Sequence, residues 1–311
     1  MKMSKKTIFI SIIMVLTSYI LLFVDGLNYG VDFAGGTIVQ VKYDSPANIK
    51  EIRETLKGDP LFKGASITEF GSPEEIIIRL SGSSQSISND VGDATTKALT
   101  GTGNFEIRRV DMVGPKVGNE LREQGLMSLI LATIGILIYV AFRFEWRFAV
   151  ASIIALVHDI SIAIGALALF QIPVNLDVLA ALLTILGYSL NDTIIVFDRI
   201  REGIVKIKSA ILSDVINESV TRTLSRTTLT SLTTFFVVLT LYFFGGEIIN
   251  AFAFTLLVGI IVGTYSSIFV ASPVLLLFGF DIKGYRARLA EKAKREAEKE
   301  KMRAQYEQGT V

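Results

Sequence analysis

The sequence predicts an α-helical membrane protein with six transmembrane helices and an α+β domain inserted between the first and second of them. Three observations predict this class. Half of the 311 residues are hydrophobic, which is typical of membrane proteins. Six apolar runs have the length of about 17 to 25 residues that crosses a bilayer. The segment between the first two runs alternates between strand and helix patterns.

The six apolar runs are the predicted transmembrane helices. The first run follows a basic start and has no small-residue cleavage site before Asp25, so we interpret it as a retained span and not as a cleaved signal. The predicted spans are residues 8–24, 126–142, 148–170, 176–197, 227–244 and 252–278.

The positions of the basic residues predict the orientation. Lys and Arg precede the first span, occupy the turn after the second, fill the segment after the fourth and crowd the tail, whereas the loops 171–175 and 245–250 contain none. Because basic loops stay in the cytoplasm, both termini are predicted to be cytoplasmic. The predicted division is a first transmembrane helix (1–24), an extracytoplasmic domain (25–125), a five-helix transmembrane bundle (126–278) and a charged helical cytoplasmic tail (279–311).

The predicted extracytoplasmic domain has the order β-α-β-β-α-β, which is the ferredoxin-like arrangement. Its first strand, residues 37–43, alternates apolar and polar side chains as a half-buried strand does. The other predicted elements are a helix with Ile49, Ile52 and Leu56 on one face, strands at 65–70 and 75–80, a helix with Ile87, Val91, Ala94 and Ala98 on one stripe, and a strand at 105–110. The domain shows no phosphate loop, no metal-ligand cluster and no nucleophile with a partner histidine, so we expect a binding or force-bearing module. The fold alone does not say what it binds.

Two hydrophilic segments are predicted to be helical as well. Residues 203–223 form an amphipathic connection between the fourth and fifth spans, and residues 286–308 are rich in Ala, Glu, Lys and Arg. Charges on all sides of the second segment are typical of a solvated helix stabilised by pairs of opposite charge.

Charge and cysteine content exclude several function classes. The 31 basic and 30 acidic residues nearly cancel, for a net charge of +1, which argues against a nucleic-acid partner. The chain has no cysteine, which excludes disulfides, thiolate metal sites and cysteine nucleophiles. We expect no cofactor and no metal site.

The strongest functional signal is an acidic residue inside the fourth span. Asp192 lies beside Asn191, and at about 100° per residue both share one arc with Thr184 and Tyr188. The opposite side is predicted to face lipid and consists of Leu182, Leu186, Leu190, Thr193 and Phe197. A charge at bilayer depth costs at least about 2.5 to 3.5 kcal/mol, which favours an ion- or proton-carrying role. A buried structural carboxylate paired with a neighbouring helix is the alternative.

A carboxylate can carry an ion if its surroundings change during a cycle. A site that alternates between wet and dry, or between near and far from an arginine, binds and releases a proton. Arg226 starts the fifth span and shares one arc with Thr230, Thr233 and Thr234. These hydroxyls either form hydrogen bonds to their own helix or line a water-filled path. Arg226 either works together with Asp192 or extends to the membrane surface.

Two further groups of residues lie in the spans. His158 and Asp159 sit in the middle of the third span and include the single histidine of the chain. Adjacent helical residues point about 100° apart, so we expect no metal pair, and instead a structural hydrogen bond or a secondary proton site. Small residues on one face of the last span indicate close helix packing; they are Thr255, Gly259, Gly263 and Ser266.

Several motifs together carry a resemblance to a known family. They are Gly30-Val31-Asp32-Phe33-Ala34-Gly35-Gly36-Thr37 after the first span, His158-Asp159, residues 187–193 and 196–202 around Asp192, and Ser225-Arg226-Thr227. Over essentially its whole length the chain resembles the SecF family of the bacterial SecD–SecF protein-export complex.

The resemblance implies both an architecture and a function. It implies a six-span subunit of the resistance-nodulation-division type in the cytoplasmic (inner) membrane, paired with a SecD-like partner about a pseudo-two-fold axis. It also implies association with the SecYEG channel and use of the ion gradient to help pull preproteins outward. In this family Asp192 would be the ion-carrying carboxylate and Arg226 would work with it.

Two other functions compete with this one. A small-molecule or lipid exporter of related fold should show a polar or aromatic substrate pocket in the external domain, and none stands out in the sequence. An intramembrane hydrolase needs a nucleophile–base pair that the spans do not supply. The sequence leaves open whether the coupling ion is H⁺ or Na⁺, since a carboxylate with a few hydroxyls suits either.

Overall fold

The helices and strands occur along the chain in the predicted order. A computed structural model describes residues 4–81, 91–207, 209, 211–279 and 282–307. The first elements are α1 (Ser4–Val24), α2 (Val31–Ala34), β1 (Gly36–Tyr43), α3 (Ile49–Lys57), a 3₁₀ turn (Pro60–Phe62), β2 (Ser66–Phe70), β3 (Ser72–Ser81), α4 (Val91–Ala98) and β4 (Phe105–Val113). They are followed by α5 (Pro115–Arg143), α6 (Trp146–Leu169), α7 (Leu176–Lys206), α8 (Leu212–Phe244), α9 (Glu247–Ser266), a π-helical turn (Ser267–Ala271), α10 (Ser272–Leu277) and α11 (Ile282–Glu307).

Within the described ranges, six helical segments are long and apolar enough to cross a membrane, as the sequence predicts. They are α1, α5, α6, α7, α8 and the segment from Ile248 to Leu277, which contains α9, the π-helical turn and α10. Three of these helices extend well beyond the predicted span: α5 begins at Pro115, α7 ends at Lys206 and α8 begins at Leu212. Hydropathy identifies only the stretch of a helix that is apolar enough to contact lipid. These helices continue beyond that stretch as polar turns. The predicted connection 203–223 therefore belongs mostly to the ends of α7 and α8.

The bundle has an inner and an outer set of helices. In their most apolar stretches, α6 is 61% and α7 50% buried, whereas α1, α5 and α8 are 17%, 11% and 17% buried. Aromatic side chains pack at one end of the inner helices, where the rings of Phe148 and Phe197 meet edge-on at 5.0 Å between centroids. The helix that carries Asp192 is therefore about half enclosed by the protein itself.

The domain between α1 and α5 is ferredoxin-like, which confirms the predicted fold class. Its sheet has the order β2-β3-β1-β4, with every neighbouring pair antiparallel. The apolar sides of the central strands and of α3 form its core, with Val39, Val41, Ile52, Leu56, Ile76 and Ile78 all buried. Val91 in α4 joins this core, whereas Ile87 of the predicted stripe lies outside the described residues.

The last helix, α11, is helical as predicted, but its first turn is packed against the bundle. Ile282 and Tyr285 are 4% and 7% exposed. Arg286 donates hydrogen bonds of 2.6 Å to the carbonyl oxygens of Ile204 and Ile207. The guanidinium thus satisfies carbonyl groups at the end of α7 that have no partner within the helix, which fixes the start of α11 to the connection between α7 and α8.

Candidate functional site

Asp192 lies deep in the bundle, on the inner side of α7. Its side chain is 2% exposed, and its Oδ2 accepts a hydrogen bond of 3.0 Å from the hydroxyl of Ser231 on α8. Among the described residues, none of the ion pairs involves Asp192. A buried carboxylate with a neutral partner is costly while it is charged. The arrangement therefore suits a group that gains and loses a cation.

Among the residues that the structure describes, Arg226 forms neither an ion pair nor a hydrogen bond with Asp192. Its side chain is exposed, and in the described part of the chain it takes part in no ion pair. Ser231 follows it by five positions, so the two side chains point about 140° apart around α8. The structure thus brings a serine to the carboxylate and leaves the arginine on another face of the same helix.

The three threonines that share an arc with Arg226 bond back to their own helix. The hydroxyl of Thr230 donates to the carbonyl oxygens of Arg226 and Thr227, and those of Thr233 and Thr234 donate to the carbonyl oxygen of Thr230. This is one of the two arrangements that the sequence leaves open. The side of α8 that packs inward is a different stripe and carries Thr223, Thr227, Ser231 and Val238.

Ser231 is a site residue that was not predicted from the sequence. The prediction centred the polar side of α8 on Arg226, and Ser231 falls outside that arc. The sequence does contain a signal for it, because Thr223, Thr227 and Ser231 recur every four residues and so define one face of a helix. A stripe of small polar residues at that spacing is typical of helix contacts in a membrane.

The prediction for the lipid-facing side of α7 was wrong. The residues assigned to it are buried, with Leu182 at 5%, Leu186 at 3%, Leu190 at 8%, Thr193 at 1% and Phe197 at 0% exposure. Lipid tails and protein interiors are equally apolar, so an apolar stripe does not reveal which of them it faces. In contrast, Thr184 and Asn191 are exposed.

Tyr188 lies between these two sides of α7, one turn before Asp192. Its ring is half-buried, and its hydroxyl is buried and makes no hydrogen bond to any described residue. Since residues four apart lie on the same face of a helix, Tyr188 and Asp192 share one face of α7.

His158 and Asp159 form a second buried polar cluster. Nδ1 of His158 is 2.8 Å from Oδ1 of Asp159, and Oδ2 of Asp159 accepts hydrogen bonds from Ser189 at 2.5 Å and Ser266 at 2.7 Å. Asp159 is fully buried and His158 is 5% exposed. The cluster therefore joins α6 to α7 and α9, and Ser189 precedes Asp192 by less than one turn of the same helix.

The small residues of the last span lie against α7. A Cβ atom on Gly259 would overlap the side chain of Ile185, and one on Gly263 would lie 3.0 Å from Cβ of Ser189. Thr255 bonds back to the carbonyl oxygen of Ala251. Glycine thus lets α9 approach α7 closely at the level of Ser189, where Ser266 completes the cluster around Asp159.

The glycine-rich motif after α1 connects the domain to the bundle. Asp32 accepts a hydrogen bond of 3.0 Å from the backbone N–H of Leu176, the first residue of α7. Phe33 is buried in the same core as Val174 and Val178. Gly36 continues directly into β1. The motif therefore links the start of α7 to the first strand of the sheet.

Gly35 makes the close packing of this motif possible. Its backbone has φ of 77°, a conformation that favours glycine. A Cβ atom there would lie 3.0 Å from the backbone of Pro115 at the start of α5. The sequence identified Asp32, Phe33, Gly35 and Gly36 only through the family motif, because nothing local predicts a contact with residues so distant in the chain.

Comparison with known proteins places the chain in a family. The model described as protein export membrane protein SecD/SecF, C-terminal, matches residues 94–281, and the SecD/SecF GG motif matches residues 20–47. The chain is 50% identical over 311 residues to the protein translocase subunit SecF of Helicobacter pylori strain J99, covering 100% of this chain and 96% of the relative. It is 48% identical over 285 residues to that of Calditerrivibrio nitroreducens, covering 90% and 92%.

A solved structure is similar along most of the chain. The crystal structure of SecDF, a translocon-associated membrane protein from Thermus thermophilus, superimposes with a TM-score of 0.76 and 34% identity. The match covers 89% of this chain and 38% of the SecDF chain, so the present chain corresponds to less than half of that protein. The family models, the full-length relatives and this shared architecture lead to one conclusion: the chain belongs to the SecD/SecF family of protein export membrane proteins.

Proposed function

We propose that this chain is an accessory subunit of the Sec translocase that couples the transmembrane ion gradient to preprotein export, together with a SecD-like partner. The observation that carries the proposal is the burial of Asp192. This residue is 2% exposed on an inner helix of the bundle, and its carboxylate is hydrogen-bonded to a neutral serine. The names of the relatives, protein translocase subunit SecF, support it. On this account the chain moves ions and transmits motion, and it is not an enzyme.

The ion chemistry follows from the surroundings of Asp192. An uncompensated buried charge costs several kcal/mol, and binding of H⁺ or Na⁺ removes that charge. Release requires a state in which water or a fixed positive charge stabilises the free carboxylate. One charge that crosses the membrane field supplies about 2.3 kcal/mol per 100 mV, which is enough to bias a conformational change.

Arg226 is proposed to supply that fixed positive charge in another state of the cycle. It lies five residues before Ser231 on α8, which is about 7.5 Å along the helix axis and on another side of it. A movement of α8 relative to α7 that exchanged Ser231 for Arg226 beside Asp192 would change the affinity of the carboxylate for its ion. Thr230, Thr233 and Thr234 lie along the same part of α8 and would line the route.

The SecD-like partner is proposed to cover the exposed polar side of α7 and α8. Thr184 and Asn191 on α7, and Arg226, Thr230 and Thr233 on α8, are exposed although they lie in membrane-crossing helices. Polar side chains that face hydrocarbon are costly, and those in membrane helices usually face protein or water. A partner subunit at this surface would remove that cost and enclose the ion route.

Movement in the bundle can reach the domain through α7. Asp32 binds the first residue of this helix, and Asp192 lies 16 residues further on, which is about 24 Å along one continuous helix. We propose that displacement of α7 during the ion cycle moves the domain through this contact. The domain would then pull on a preprotein that emerges from the SecYEG channel.

The orientation is proposed from the charges at the other end of the bundle. Arg143 lies 3.7 Å from Asp198, and Arg288 lies 3.2 Å from Glu145. Basic loops mark the cytoplasmic side, and on this basis we propose that both termini are cytoplasmic and that the ferredoxin-like domain lies outside the inner membrane.

Export into vesicles tests the proposed function. Inverted inner-membrane vesicles with and without this subunit would receive a preprotein, with the ion gradient intact or collapsed by an ionophore. We expect the gradient to accelerate export only in vesicles that contain the subunit. Equal acceleration in both would contradict the proposal.

A further inference from the structure

The polar cluster around Asp159 is separate from the contact between Asp192 and Ser231, and the proposed cycle does not use it. Asp159 is fully buried and His158 is 5% exposed. Three donors point at the carboxylate: a ring nitrogen of His158 and the hydroxyls of Ser189 and Ser266. These donors stabilise a charged carboxylate, whereas burial makes the same charge costly.

The second ring nitrogen of His158, Nε2, is the buried atom of this cluster that lacks a hydrogen-bond partner among the described residues. When Nδ1–H donates to Asp159, Nε2 of the neutral ring is an acceptor. A proton on Nε2 would turn the pair from a net charge of −1 into a neutral ion pair, and this removes the cost of a net charge in a dry region.

The other titratable groups around the pair are few. On α7, Tyr188 directly precedes Ser189, and Asp192 lies less than one turn beyond it. On α9, the ring of Tyr265 stacks on that of His158 with 6.2 Å between centroids, and its hydroxyl donates to the carbonyl oxygen of Thr7 on α1. Tyr19 of α1 bonds to Ser161, and the membrane part of α5 contributes Tyr139, which is exposed. The π-helical turn and α10 contain no ionisable side chain. No basic residue from the described part of these segments forms an ion pair with Asp159.

We propose that His158 and Asp159 form a second proton-binding site in the membrane helices, connected to the Asp192 site through Ser189. Asp159 orients the imidazole and balances its charge, and Nε2 of His158 takes the proton. The site gives the coupling proton a second place to bind besides Asp192. Its part in the ion cycle rests on the proposed function. Binding of the proton itself does not depend on export.

The single histidine of the chain allows a direct test. The full-length chain, labelled with ¹⁵N-histidine and reconstituted in lipid bilayers, gives NMR signals from His158 alone. We expect a neutral ring protonated on Nδ1 at high pH, with Nε2 gaining a proton as the pH falls. Asp159→Asn should move the midpoint of this titration by about one pH unit or more.

Two further variants keep the test decisive. Ser189→Ala removes one donor to Asp159 and should also move the midpoint, which matters if Asp159→Asn fails to fold. Ser152→Ala is the matched control, since this buried hydroxyl of α6 bonds to the carbonyl oxygen of Phe148 and lies outside the cluster. It should leave the midpoint unchanged.

The outcomes separate this proposal from the proposed function. A ring that stays neutral over the whole pH range in which the protein is folded would overturn the second site, whatever the export assay shows. A midpoint that neither Asp159→Asn nor Ser189→Ala moves would overturn it as well. Titration of His158 in a chain whose export ignores the gradient would support the second site and contradict the proposed function.

Discussion

Ser231 on α8 donates a hydrogen bond of 3.0 Å to the carboxylate of Asp192 on α7. The partner of the buried acid is thus a hydroxyl and not the guanidinium of Arg226. A hydroxyl can donate to a carboxylate or accept from a carboxylic acid, so this contact survives a change in the protonation of Asp192. A fixed cation would favour only the charged form.

Ser231→Ala should destabilise the folded chain by about 1 to 3 kcal/mol, because it leaves a buried acceptor without a donor. The midpoint of thermal unfolding of the purified chain measures this. Thr233→Ala is the control, since that hydroxyl is exposed and bonds to its own helix. Equal midpoints for the two variants would show that the Ser231 contact contributes no stability.

Gly259→Leu should disrupt the packing of α9 on α7, because even a Cβ atom would overlap Ile185. Overpacking of this kind costs about 1 to 3 kcal/mol or more. The yield of monodisperse chain after purification and its unfolding midpoint both report the effect.

Gly135→Leu is the matched control for this helix contact, since nothing lies within 4 Å of the corresponding Cβ position on α5. It should leave yield and midpoint at the wild-type values. If Gly259→Leu behaves in the same way, the close approach of α9 to α7 does not hold the bundle together.

Gly187→Leu should weaken assembly with the SecD-like partner while the chain itself stays folded. Gly187 is exposed on α7 between Thr184 and Asn191, and a Cβ atom there meets no atom of this chain. Bulk at this position would therefore collide only with a partner that covers the exposed polar side. The measurement is the amount of partner that co-purifies with the tagged chain, normalised to the chain. Unchanged co-purification would place the partner on another surface.

The orientation can be measured in a chain that has no cysteine of its own. Thr100→Cys lies in the exposed turn after α4, and Arg288→Cys lies near the start of α11. A membrane-impermeant maleimide applied to the outer face of the cytoplasmic membrane in spheroplasts should label the first position, and should label the second only after permeabilisation. Labelling of Arg288→Cys in intact spheroplasts would contradict the orientation.

The sequence was sufficient for the order of the elements and for the acidic residue at the centre of the account. A charge inside an apolar run is visible without any structure, which is why Asp192 was found. The alternating strand pattern and the helix stripes of the domain were equally local signals, and the observed sheet agrees with them.

The rotation of each membrane helix could not be predicted in the same way. An apolar residue such as Leu186 or Leu190 gives the same sequence pattern whether it faces lipid or another helix. In the structure both residues are buried. For the same reason the polar arc predicted on α8 was centred on Arg226 and left Ser231 out. Asp32 illustrates a second limit, because its contact with Leu176 joins residues 144 positions apart and depends on the complete fold.

Asp192 is proposed to carry the ion, and Asp192→Asn removes its charge while keeping its shape. The asparagine retains an oxygen that can accept from Ser231, so the variant should fold and assemble with its partner, but it cannot change its charge. Asp214→Asn, an exposed acid at the start of α8, is the control for loss of a carboxylate. The measurement is the rate of preprotein export by vesicles that contain each variant, with the ion gradient intact and collapsed. We expect Asp192→Asn to abolish the acceleration by the gradient and Asp214→Asn to retain it. An assembled Asp192→Asn variant that exports at the wild-type, gradient-dependent rate would contradict the proposed role of Asp192.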